Sequence, residues 1–219
     1  MKWDQHIHQI TSKANLSLGF LRRNLLKCPE VVKERTHQAL VRPHVEYASA
    51  VWDPYLIKDV NKDESVQRRS GRFVKNSYIK EKGTITNLLN ELGWPSLECR
   101  RKHHRLDLFY RTKIGKTALQ IPDHLNKTVR RPMRAMDSTC YIRQTTKADL
   151  YAQSYFPRKI RDWNNLPQHI THCTTERTFK STLLNISLNK SYFFVMFLST
   201  MHQSCTALAR RDGKPLSLD

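Results

Sequence analysis

Apolar residues punctuate the start of the chain at helical spacing. Trp3, Ile7, Ile10, Ala14, Leu18, Leu21 and Leu25 recur at steps of four and three, which predicts a helix over 3–27. Phe20 widens that stripe. Arg22, Arg23 and Lys27 crowd the last turns, where cations suit the helix dipole. Cys28-Pro29 then breaks the helix, and so short a joint predicts an antiparallel helix pair.

The next stretch, Val31 to Pro54, reads as one long central helix with a bend. Pro29 suits a first helical turn, where the missing N–H costs nothing. Val32, Ala39, Leu40, Tyr47, Ala48 and Val51 fall on one predicted inner face. Pro43 deletes a backbone hydrogen bond in mid-run, so a kink or break is expected there. Trp52 closes the run and Asp53-Pro54 ends it.

A third helix is predicted over 58–78, with Val60, Val66, Phe73 and Val74 as a thin apolar face. Asp63 interrupts that face, and Gly71 weakens the helix by ~1 kcal/mol relative to Ala. Arg68, Arg69, Arg72 and Lys75 form a basic ridge along it. It suits phosphate tracking or a plainly solvated surface equally well. Thr84 to Leu92 reads as a short helix with Leu88, Leu89 and Leu92 buried and Gly93 as its C-terminal cap. Ser96 can cap the next helix, which runs to about Lys113 with Leu97, Leu108 and Phe109 facing inward. Between them lies the basic run Arg100, Arg101, Lys102, His103, His104, Arg105, suited to a nucleic-acid backbone or to a nuclear import signal.

From Gly115 the periodicity fades. Residues 116–153 are rich in Thr, Arg and Pro and predict a loop-rich basic connector, with short strands near Cys140–Gln144. Arg130, Arg131 and Arg134 could bind phosphate or belong to a disordered linker. Regularity returns over 154–186, with a short helix through Ile160 to Trp163 and another from Thr175 to Ile186. Phe156 and Trp163 are expected anchors, and Phe179, Leu183 and Ile186 share a side. The tail, 187–219, holds an apolar patch, YFFVMFL, and a basic end, and is expected outside the fold. The expected architecture is mainly α. An irregular helical bundle with a kinked central helix over 1–115 is followed by a loop-rich C-terminal segment with short helices.

Charge narrows the partners. Lys and Arg total 38 against 19 Asp and Glu, a formal net charge of +19, which calls for an acidic partner. Nucleic acid comes first and an anionic membrane surface second. Hydrophobic residues make up 39%, so the core is expected to be modest. Cys28, Cys99, Cys140, Cys173 and Cys205 are scattered with no paired spacing. That favours free thiols and gives no metal or cofactor site. No apolar core stands in Met1 to His8 and no apolar run nears the ~20 residues of a membrane span. An intracellular protein, nuclear or cytoplasmic, is expected.

Several stretches taken together carry a resemblance. WDQHIHQITSKANLSLGFLRRNL, VKERTHQALVRPHVEYASAVWDP, VQRRSGRFV, LLNELGWPSLECRR, YFPRKIRDWNNLP and TFKSTL follow one another between Lys2 and Leu184. In this order they resemble the C-terminal part of reverse transcriptases from jockey-like non-LTR (LINE) retrotransposons. The resemblance implies a thumb-like helical region and its extension, without the polymerase palm or the endonuclease. The palm of that family carries paired aspartates for two metal ions, and no Asp-Asp pair occurs in this sequence. Asp63 and Gly71 depart from the family pattern, which usually has an apolar residue and Ala there.

The resemblance implies a non-catalytic polymerase fragment that grips RNA or an RNA–DNA hybrid by its backbone, with a polymerase core as a further expected partner. The residues expected to carry that grip are Arg22, Arg23, Arg68, Arg69, Arg72, Lys75, Arg100, Arg101, Lys102 and Arg105. A different class of function, a helical protein-interaction module or an unselected relic, fits the same sequence. An autonomous enzyme fits badly, since Glu34, Glu46 and Glu91 stand on separate helices without a nucleophile or metal spacing beside them.

Overall fold

The computed structural model describes residues 3–79, 81, 83–123, 140–142 and 149–185. Across these the chain is mainly helical and forms no strand. α1 (Asp4–Asn24) buries Ile7, Ala14, Leu18 and Leu21 along the predicted stripe. Thr11 joins them by returning its hydroxyl to the Ile7 carbonyl at 2.7 Å. Phe20 is exposed rather than inward, because it sits about 100° round the helix from Leu21.

The stretch expected as one kinked helix is three short ones, α2 (Glu30–Leu40), α3 (Arg42–Glu46) and α4 (Ser49–Trp52). Pro43 lies in the first turn of α3, where its missing N–H has no intrahelical partner to lose, so the chain breaks cleanly before it. A second break falls at Ala48, whose φ of 52° is left-handed. Each break resets the helical phase. The predicted face of Val32, Ala39, Leu40, Tyr47, Ala48 and Val51 therefore turns to solvent. The buried positions are Lys33, His37, Val41, Val45, Ser49 and Trp52. Lys33 and His37 replace apolar residues because each has an aromatic partner. The Lys33 ammonium lies 5.6 Å from the Phe73 ring centroid, and the His37 ring stacks on Trp94 at 4.4 Å.

α5 (Ile57–Val74) crosses α1 and α2 and carries α6 (Thr84–Glu91) on its far end. Gly71 permits that approach, since a Cβ there would stand 2.9 Å from Leu89 Cδ2. The turn after α6 closes as a Schellman motif. The Trp94 N–H donates to Leu89 O and the Gly93 N–H to Asn90 O, each at 2.9 Å, with Gly93 at φ 62°. Ser96 caps α7 (Leu97–Lys113), its hydroxyl accepting from the Cys99 N–H at 3.2 Å.

α7 is shared between two apolar cores. Its first turn puts Leu97 among Ala14, Leu18, Leu21, Val41, Val45, Val66, Phe73 and Trp94. Its second half puts Leu106, Phe109 and Tyr110 among Ile160, Trp163, Ile170, Phe179 and Leu183. Those come from α9 (Tyr155–Asn164), α10 (Gln168–Thr171) and a last helical stretch over 176–185, and a short α8 (Asp149–Ala152) packs on α9. The second core therefore draws residues from both sides of the expected boundary at 115. Tyr110 and Phe179 stack at 4.4 Å in its centre.

Of the strands expected near Cys140–Gln144, only residues 140–142 are described. There the Asn164 carboxamide clips the Tyr141 backbone. It accepts from the Tyr141 N–H at 3.0 Å and donates to the Tyr141 carbonyl at 2.8 Å. Arg130, Arg131, Arg134, Ile186 and the whole of 187–219 lie outside the described residues.

Candidate nucleic-acid interface

The basic run on α7 divides by helical phase. Arg100, Arg101 and Arg105 point inward and are buried, while Lys102 stays half-exposed. A buried guanidinium must find carboxylates, and these do. Arg100 bonds Glu46 and donates to Gln67 Oε1 at 3.2 Å. Arg101 donates from Nε to Asp53 Oδ1 at 2.8 Å and also bonds Asp63. Arg105 bonds Asp53 and donates to Asp162 Oδ2 at 2.8 Å. Arg158 of α9 adds a contact of 3.0 Å to Asp53 Oδ2. Cations Arg100, Arg101, Arg105 and Arg158 thus face anions Glu46, Asp53, Asp63 and Asp162.

This corrects the assignment of Arg100, Arg101 and Arg105 to a phosphate-gripping surface. Their charge is already spent on carboxylates in the interior, at the seam between the two cores. Asp63, an apparent interruption of an apolar face, is the acid that Arg101 meets. Burial pushes its carboxyl up to about 7, against the pull of the Arg101 charge. Beside the cluster, burial lowers the Lys159 amine to about 6, with Arg105 adding repulsion, and the amine lies against the Tyr155 ring.

The ridge on α5 keeps more of its charge outside. Lys75 is held by Glu30 at 2.8 Å and Glu91 at 3.6 Å, and its hydrogen bond to Glu30 raises its pKa. Arg68 folds back along α5 onto the Asn61 carbonyl at 3.3 Å. Arg23 is exposed on α1. Arg22, Arg69 and Arg72 come together with Tyr78 around one open pocket of about 340 Å³. Arg69 and Arg72 sit three apart on α5, and Arg22 reaches in from the last turns of α1.

The detail of this pocket is polar and unfinished. The Arg22 guanidinium carbon lies 5.3 Å from the Tyr78 ring centroid. Arg69 donates to Asn15 Oδ1 at 3.0 Å. Arg72 Nε is buried and has no hydrogen-bond partner among the described residues. Among the described residues no carboxylate pairs with Arg22, Arg69 or Arg72. Such a cluster of forked donors can take an anion with oxygens at several angles.

A larger concavity of about 440 Å³ lies between α2, α7 and 176–185. Glu34, Arg42, Trp94, His103, Asp107 and Lys180 line it, so its charge is mixed and it does not select a polyanion. His103 and His104 diverge as adjacent helix positions must. His103 approaches Cys99 Sγ at 3.7 Å, and His104 Nδ1 is 2.8 Å from Ser49 Oγ. Sequence reasoning missed Asp53, Asp162 and Arg158. The only local trace of their role is Arg158 and Asp162 four apart on one helix.

Among the described residues no helix is long and apolar enough to cross a membrane. Comparison of the chain with protein-family models, with curated proteins and with solved structures finds no match.

Proposed function

We propose that the chain is a non-catalytic part of a retrotransposon RNA-directed DNA polymerase, the thumb-like region and its extension. In this reading it retains backbone-type, sequence-nonspecific binding of RNA or an RNA–DNA hybrid. The observation that carries the reading is the pocket of Arg22, Arg69 and Arg72 beside Tyr78, with guanidinium charge that no carboxylate among the described residues neutralises. The order of motifs resembling the jockey-like polymerases supports it, as does the formal charge of +19. Arg22, Arg23, Arg68, Arg69, Arg72 and Lys102 are the phosphate contacts it keeps. No catalytic step or cofactor is assigned to the chain.

A salt titration of RNA and hybrid binding tests this. Backbone binding through these groups loses ~10³-fold or more in affinity between low and moderate salt. A flat response removes the proposal, and primer extension with magnesium and nucleotides would remove its non-catalytic part.

A second reading, a helical protein-interaction module, rests on a separate observation. Val31, Val32, Leu40, Tyr47 and Val51 leave 40–82% of their surface exposed along α2 to α4. Retention of a protein partner at salt that abolishes polyanion binding would favour it.

A further inference from the structure

We propose that the pocket of Arg22, Arg69, Arg72 and Tyr78 seats the terminal phosphate of a nucleic-acid strand, with the end base laid against Tyr78. The inference rests on the nucleic-acid reading above and narrows it to a strand end.

The geometry separates an end from a passing backbone. Phosphodiesters along a strand are met by cations spaced along a ridge. Here the Arg22, Arg69 and Arg72 side chains border a single concavity instead. At about 340 Å³ the space is of the order that holds one small ligand, and a duplex cannot enter it. A terminal phosphomonoester carries a charge of about −1.5 to −2 at neutral pH, against −1 for an internal diester, and offers an additional terminal oxygen. A convergent cluster of cations gains most from that extra charge.

The pocket also supplies what an end requires beyond charge. Arg72 borders the pocket and pairs with no carboxylate among the described residues, so its guanidinium charge is left for an incoming oxygen. Arg69 is oriented by Asn15, and Arg22 stands over the Tyr78 ring at 5.3 Å. Tyr78 remains 44% exposed, which leaves ring surface for a base to stack upon. Stacking is tolerant of base identity, so the preference is for an end and not for a sequence.

The test is fluorescence anisotropy of the full chain with one labelled single strand carrying a 5′-phosphate, a 3′-phosphate, or hydroxyls at both ends. One phosphorylated form is expected to bind about tenfold tighter or more than the hydroxyl form. Which form does so identifies the end. Arg69→Gln and Tyr78→Leu should shrink that preference, while Lys102→Gln, which removes a proposed backbone contact that does not line the pocket, should weaken all strands alike and keep it. Equal binding of all strands overturns the inference and leaves the backbone reading standing. Absence of binding to any strand at low salt overturns both. Tighter binding to phosphoinositide vesicles than to phosphorylated strands also overturns it.

Discussion

Arg101 donates from Nε to Asp53 Oδ1 at 2.8 Å, and both side chains are almost wholly removed from solvent. Arg101 also reaches Asp63 on α5, so one guanidinium fastens the end of α4 and the middle of α5 to α7. Removing only the cation would strand Asp63, whose carboxylate has no other hydrogen-bond partner. Arg101→Met is expected to cost about 3–5 kcal/mol in urea denaturation. Adding Asp63→Leu should recover most of that loss, because neither charge is then left alone. Two single losses that simply add in the double variant would show that the pair is not coupled.

The same cluster shows where the sequence is mute. Charge is visible in a run such as Arg100 to Arg105, but its carboxylate partners are 38 to 57 residues away, at Glu46, Asp53, Asp63 and Asp162. No local pattern distinguishes such a run from a solvated one. The stripe of α1 was legible because Ile7, Ala14, Leu18 and Leu21 are apolar by name as well as by place. The caps at Gly93 and Ser96 were legible because each answers a purely local need. The inner face of α2 was not, since Lys33 and His37 are polar by name and bury themselves on aromatic rings. Of the expected binding residues, Arg22, Arg69 and Arg72 lie on helices placed correctly by periodicity. Their meeting across α1 and α5 is tertiary and could not be read.

The nucleic-acid reading gives a quantitative expectation for the α5 arginines. If Arg69 and Arg72 share one phosphate, as their common pocket implies, replacing both by Gln lowers the slope of log affinity against log salt by about 1. The same double change should leave the urea midpoint nearly unmoved, as neither side chain pairs with a carboxylate among the described residues. A lowered midpoint with an unchanged slope would mark these arginines as structural.

Gly71 offers a test of how tightly α6 is seated. Ala there gains up to ~1 kcal/mol of helix propensity. Its Cβ would stand 2.9 Å from Leu89 Cδ2, the far end of a flexible side chain, which can turn aside. Gly71→Ala is expected to change stability by less than about 1 kcal/mol, whereas Gly71→Leu should lift α6 and cost about 2 kcal/mol or more. Faster amide exchange confined to 84–91 in the Leu variant would identify α6 as the element displaced.

His37 sets an acid limit on stability. Its ring is buried against Trp94, and burial lowers its pKa from the ordinary 6.5 to about 3, with repulsion from Arg100 and Arg42 adding to it. The folded chain therefore holds His37 neutral where the unfolded chain takes up a proton. Below pH 6.5 the unfolded state binds more protons, so stability falls as pH drops from 6.5 toward 3. Between pH 6.5 and 4.5 the loss from this residue is about 2–3 kcal/mol. His37→Phe keeps an aromatic ring on Trp94 and removes Nδ1, which is buried without a hydrogen-bond partner. It should match the parent or exceed it in stability at pH 7 and flatten the acid limb of the urea midpoint. What slope remains is set by His103, which burial holds down at about 4, against Asp63, whose raised carboxyl works in the opposite sense. Parallel acid limbs for parent and variant would mean that His37 is already protonated in the fold.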